Sequence, residues 1–206
     1  MRFMLALFLF VVSALGREWV IVSHSPDKQF AVAVFPHGAD TFDEADLVVL
    51  LIDGLTGRRI GPLEKVDSSG GGYGASESNV DCEWSQDSSL LIVSFRCGRL
   101  MHASQVYRMK GRRAVPVSLP DAATHPKGRI MKVLTKTANP SSRLKFTKDG
   151  GIDQRVSGLI PSEGHWDDDF SKYGVGDFDD TLIFHYRFDQ KGQLLLHDIT
   201  SPLSGR

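Results

Sequence analysis

Two nearly unbroken apolar runs, Leu47 to Ile52 and Leu90 to Phe95, do most to constrain how this chain can fold. A strand with one wet face alternates apolar and polar residues. A short β-rich run without alternation predicts a strand buried on both faces. Each run sits in the same surroundings. Trp19 to Val22, the turn Ser25-Pro26-Asp27-Lys28 and Phe30 to Phe35 read as a hairpin. Pro pre-sets φ there and Asp bonds the local backbone. Asp53-Gly54-Leu55-Thr56-Gly57 then turns the chain, and Arg58 to Leu63 returns. After the Gly/Ser-rich connector around 68–74, Val80 to Trp84 leads through Ser85-Gln86-Asp87-Ser88 into the second run. Gln105 to Met109 and Ala114 to Val117 flank Lys110-Gly111-Arg112-Arg113.

Each unit is thus four short strands with polar turns after the first and the third. A third, weaker unit follows. Lys145 to Gly150 is similar to the first turn, and Leu182 to Phe188, Asp189-Gln190-Lys191-Gly192 and Gln193 to Ile199 form a closing hairpin. Asp27 precedes Asp87 by 60 residues, and Asp87 precedes Asp149 by 62. The expected fold is all-β, with two to three antiparallel sheets in units 17–66, 79–120 and 121–206. Residues 121–145 stay open: Arg129 to Lys136 reads as strand or helical turn, ended by Asn139-Pro140.

The first sixteen residues read as an address. Arg2 is followed by the apolar stretch Phe3 to Leu15, and Ala14 and Gly16 are small residues at positions −3 and −1 of a cut after Gly16. These are the parts of a secretory signal peptide, which implies export to a periplasm or the cell exterior. Residues 17–206 then form one domain with 23 basic against 25 acidic residues. That scattered balance argues against a nucleic-acid partner. No apolar run reaches the roughly 20 residues of a spanning helix.

Ser25-Pro26-Asp27-Lys28 before a β-run, and Leu51 to Arg58 before a return strand, resemble turns of tryptophan-aspartate-repeat and TolB-like β-propeller blades. Glu83-Trp84-Ser85-Gln86-Asp87-Ser88 looks like a degenerate copy of the first. The resemblance covers about residues 18–118 and implies blade-like sheets. Propellers need about four to eight blades, so three units imply a partial propeller or a sandwich, with self-association as one way to cover open edges. No functional residues carry over from it.

The strongest local anomaly is His165-Trp166-Asp167-Asp168-Asp169-Phe170 followed by Gly174 to Asp180. Asp167 with Asp169, and Asp177 with Asp179, are candidate oxygen ligands for Ca²⁺, although the EF-hand order is absent. Trp166, Tyr173 and Phe178 are candidate ligand-binding aromatics. With the same acids they suggest a sugar cleft or a paired-carboxylate glycosidase. A solvated acidic loop is the plain alternative, and no cofactor is otherwise implied.

Two further expectations follow from hairpin register. If Asp189 to Gly192 is a four-residue turn, His197 faces Phe184 at the core edge and His185 faces Leu196 on the other side. If Ser85 to Ser88 is a four-residue turn, Cys82 faces Leu91 and lies near 20 Å from Cys97 at ~3.4 Å per residue. That is beyond the ~7 Å reach of a disulfide, so the thiols are expected to be free. With no catalytic motif in view, the leading reading is an exported, non-enzymatic β-sheet module for a protein or glycan partner. A carbohydrate hydrolase and a Ca²⁺-stabilised structural protein are the alternatives.

Overall fold

A computed structural model describes residues 19–37, 46–66, 79–97, 101–166, 168–175 and 178–203. Segment 1–16, expected to be a signal peptide, and the connector at 68–74 lie outside the described residues. Among the described residues, twelve strands form three four-stranded antiparallel meanders. The first contains β1 (Val20–His24), β2 (Phe30–His37), β3 (Asp46–Asp53) and β4 (Arg59–Pro62). The second contains β5 (Val80–Trp84), β6 (Leu90–Arg96), β7 (His102–Lys110) and β8 (Arg113–Val117). The third contains β9 (Leu134–Phe146), β10 (Ile152–Pro161), β11 (Leu182–Phe188) and β12 (Leu194–Thr200).

The apolar runs are buried for the expected reason. Leu91, Val93 and Phe95 of β6 join Phe30, Val32, Val34, Val49 and Leu51 in a core shared with the first sheet. Ile92, between them, and Val106 of β7 face the other way, into a core with Leu144, Ile152, Leu182, Phe184, Tyr186 and Ile199 of the third sheet. The second sheet is therefore the middle layer. Along β3, Val49 and Leu51 face it, while Leu50 and Ile52 join Ala31 and Ala33 in a separate buried cluster.

Three turns share one hydrogen-bonding scheme. Ser25 Oγ, Ser85 Oγ and Thr147 Oγ1 each donate to the aspartate two residues on, Asp27, Asp87 and Asp149. These hydroxyls are the leading cause holding the three carboxyls below their usual pKa. The next residue is left-handed in each: Lys28 at φ 58°, Ser88 at φ 60° and Gly150 at φ 79°. Neighbouring turns also touch, because Asp27 N donates to Ser88 Oγ at 3.2 Å.

Residues 121–145 divide differently from the expectation. Ala122–Thr124 and Pro126–Lys132 form 3-10 turns, and β9 then runs straight through Asn139-Pro140, which does not end the element. Pro140 is tolerated because β9 is an edge strand and the four residues 137–140 bulge opposite Gly158 alone. A missing ladder N–H costs nothing at such a place. The edges are capped by side chains. Ser104 Oγ of β7 accepts from Leu144 N and reaches Ser142 O, and Glu83 accepts from Phe146 N, covering β9. His125 and Lys127 reach the β12 carbonyls of His197 and Ile199.

Both register expectations shift because the turns are longer than expected, by one residue at Asp189–Gly192 and by two at Ser85–Ser88. Asp189 N donates to Gln193 O, and Phe188 pairs with Leu194. A bulge beyond Tyr186↔Leu196 then sets His185 opposite Asp198, and His197 is exposed in that bulge instead of at the core edge. Cys82 likewise faces Val93, not Leu91. Both cysteines are free, as expected.

Two stability changes are expected in urea denaturation. Lys28→Gly relieves a left-handed side chain and stabilises by about 1 kcal/mol. Ser88→Gly gains less, since it removes the acceptor for Asp27 N. Ser104→Ala strands the β9 amide at the sheet–sheet junction and costs roughly 1–3 kcal/mol. Equal gains from the two glycines, or a neutral Ser104→Ala, would contradict these assignments.

Candidate functional site

The acidic segment organises itself around Asp168, which was not among the candidate ligands. Its Oδ2 lies 2.9 Å from His165 Nδ1, 2.9 Å from Lys172 Nζ and 3.3 Å from the donating Tyr173 hydroxyl. Lys172 first, and His165 second, hold its carboxyl below the usual range. Asp169 accepts from Ser171 N and so caps the 3-10 turn Phe170–Tyr173. Asp179 accepts from the amides of Asp180 and Thr181. Asp167 and Asp177 lie outside the described residues. Among the described residues no three His, Cys, Asp or Glu side chains gather as metal ligands.

The aromatics separate. Phe170 stands 6.1 Å from the Tyr173 ring and 5.1 Å from the Phe178 ring, and all three pack on the core of the second and third sheets. Trp166 is 62% exposed and takes no part in that cluster. The structure thus joins Tyr173 and Phe178 through Phe170 and leaves Trp166 apart.

A different constellation occupies the outer face of the third sheet. Strand alternation puts Ser141, Arg143 and Lys145 of β9 on one face, since the even-numbered Leu144 is buried. Register sets Arg143 directly opposite Arg155, Lys145 opposite Asp153 and Ser141 opposite Ser157. Ile183 of β11 pairs next to Arg155. These residues, with His102, Phe146, Thr147 and Lys148, line an open groove of about 790 Å³. A second cavity of about 250 Å³ shares His102, Arg143 and Lys145 with it and adds Asn79, Asp81 and Glu83.

The charges in the groove do not cancel. Among the described residues Lys145, Lys148 and Arg155 have no ion-pair partner, and Arg143 Nη2 meets only His102 Nε2, at 3.2 Å. Like charges directly opposite on adjacent strands destabilise a sheet. The one carboxylate in the lining, Asp153, is engaged by His185 Nδ1 at 2.8 Å. His185 Nε2 lies 2.8 Å from Thr200 Oγ1. A row of carboxylate, imidazole and hydroxyl has the order used to activate a nucleophile. Here Asp153 lines the groove and Thr200 does not, because β11 lies between their strands. The row engages one oxygen of Asp153, the single carboxylate in a lining with four cations, so the groove keeps a net positive charge.

Composition hid this groove. The cations are scattered in a near-neutral chain, and Arg143, Arg155, Ile183 and His185 meet only through cross-strand register. The alternation Ser141, Arg143, Lys145 was the available signal. It does not fix a face by itself, because Arg129 to Lys136 just before it reads equally as strand or helical turn.

Arg155→Gln should stabilise the free protein by roughly 0.2–1 kcal/mol in thermal or urea unfolding, by relieving the cross-strand repulsion. A loss of stability would mean Arg155 has a structural partner. Asp168→Asn should destabilise at neutral pH. The folded pKa of Asp168 is lowered from 3.8, so its contribution is complete above that value and disappears as pH falls through the lower folded pKa. Wild type and variant should therefore converge in melting temperature once the pH is below the lowered folded pKa. A gap that persisted in acid would dismiss the ion-pair account. No family model matches the chain, and no curated protein matches it in sequence.

Proposed function

We propose that the chain is an exported, non-enzymatic β-sheet module that holds an acidic ligand on its third sheet, in a periplasm or outside the cell. One observation carries the reading. Arg143 and Arg155 face each other across strands, beside Lys145, with no carboxylate committed to them. Asp153, opposite Lys145, is the single acid of the lining against four cations, and among the described residues no ion pair joins it to either arginine. Uncompensated charge at a concave surface is what an anion completes. The first sixteen residues support export, and the blade-like grammar of the units supports a scaffold whose surface carries the activity. Self-association, if it occurs, covers open sheet edges and not this cationic face, and light scattering reads it.

A hydrolase working through 165–180 has less support. Asp169 and Asp179 are spent on backbone amides, and Tyr173 and Phe178 on the core.

Retention on an immobilised anionic polymer such as dextran sulfate tests the proposal. The wild-type chain should be retained at low ionic strength and released by salt, because screening weakens exposed charges. Arg143→Gln with Arg155→Gln should lower affinity by at least about tenfold, as charge-assisted hydrogen bonds contribute about 1.5–3 kcal/mol each. Equal retention of wild type and double variant would overturn the assignment of the groove.

A further inference from the structure

We propose that the acidic ligand is a carboxylated oligosaccharide, of the uronic-acid type, lying across β9, β10 and β11. This rests on the acidic-ligand reading above and names its chemical class. The groove brings three chemistries to one place: the forks of Arg143 and Arg155, the hydroxyls of Ser141 and Ser157, and the apolar side chain of Ile183. A uronic-acid unit displays their complements, a carboxylate, ring hydroxyls and an apolar C–H face. A guanidinium matches a carboxylate in a two-bond geometry.

The shape agrees. The groove is open across the three strands. The cavity beyond the shared Arg143 and Lys145 carries the Asp81 and Glu83 carboxylates, which repel further acid groups, so a short uronate is held in the groove itself.

Other anionic ligands fit less well. A phosphate cradle uses backbone amides free to point at the anion, whereas the groove is floored by strands whose amides are tied up in ladders. Single-stranded nucleic acid needs a series of stacking aromatics, and Phe146 is the one aromatic in the lining. A peptide added as an extra strand would need the free edge of β9. Ser104 and Glu83 already take its Leu144 and Phe146 amides.

Isothermal titration of the full chain with polygalacturonate and alginate oligosaccharides, their carboxyl-reduced counterparts and polyphosphate tests the class. At least one uronate should bind, with carboxyl reduction costing about tenfold or more. Ile183→Asn should weaken the uronate several-fold and leave polyphosphate unaffected, whereas Arg155→Gln weakens both. Circular dichroism confirms that the variants fold, and Ser157→Ala provides a second, milder removal of a sugar contact. Polyphosphate binding as tight as uronate, with Ile183→Asn and Ser157→Ala both neutral, would overturn the glycan class and leave the acidic-ligand reading standing. Failure of every anion to bind would overturn both.

Discussion

Burial of the second sheet on both faces is the constraint on which the other contacts depend. Along β6, Leu91, Val93 and Phe95 serve one core and Ile92 serves the other, so neither face can be given up to water. The polar exception, Ser94, meets Ser104, whose hydroxyl in turn meets the β9 backbone. A half-buried hydroxyl is tolerated when its bonds are made, and here they also join the second sheet to the third. Turn-to-turn bonds do similar work on the other side. Arg112 reaches Asp53, and the Tyr107 hydroxyl donates to Glu64 O.

Because the second sheet is enclosed, surface chemistry falls to the outer layers, and the outer face of the third sheet is charged. Stability and binding pull against one another there. The Arg143–Arg155 pairing is unfavourable for the free sheet, and the Asp153–His185–Thr200 row keeps the nearest carboxylate occupied. The same face argues against closure of the three sheets into a ring by a second copy. The outer residues of the first sheet, Ala31, Ala33, Leu50 and Ile52, are apolar and already buried within the chain. They offer no complement to a row of cations.

In the acidic segment the described aspartates are engaged by their own neighbourhood. Six carboxylates within 167–180 suggest ligands. Asp168, Asp169 and Asp179 instead serve the local chain, closing a turn, capping it and fixing the entry to β11. Asp is favoured in tight turns because its side chain bonds nearby amides, and a rich supply of Asp is consistent with a chain that reverses often.

The sequence by itself determined the all-β class, the strands of the first two units and the closing hairpin. Burial on both faces leaves a mark in consecutive residues such as Leu47 to Ile52, and hairpin turns are local chemistry, as at Ser25 to Lys28 and Ser85 to Ser88. Register and everything built on it were decided only by the tertiary structure. One extra turn residue at Gln193 and a bulge at His197 moved His185 from Leu196 to Asp198, and a bulge opposite Gly158 let β9 pass Pro140. Side chains alternate with a period of two, so such shifts decide which residues share a face. The groove of Arg143, Arg155 and Ile183 depends on three strands being in register at once, and no local stretch of sequence records that.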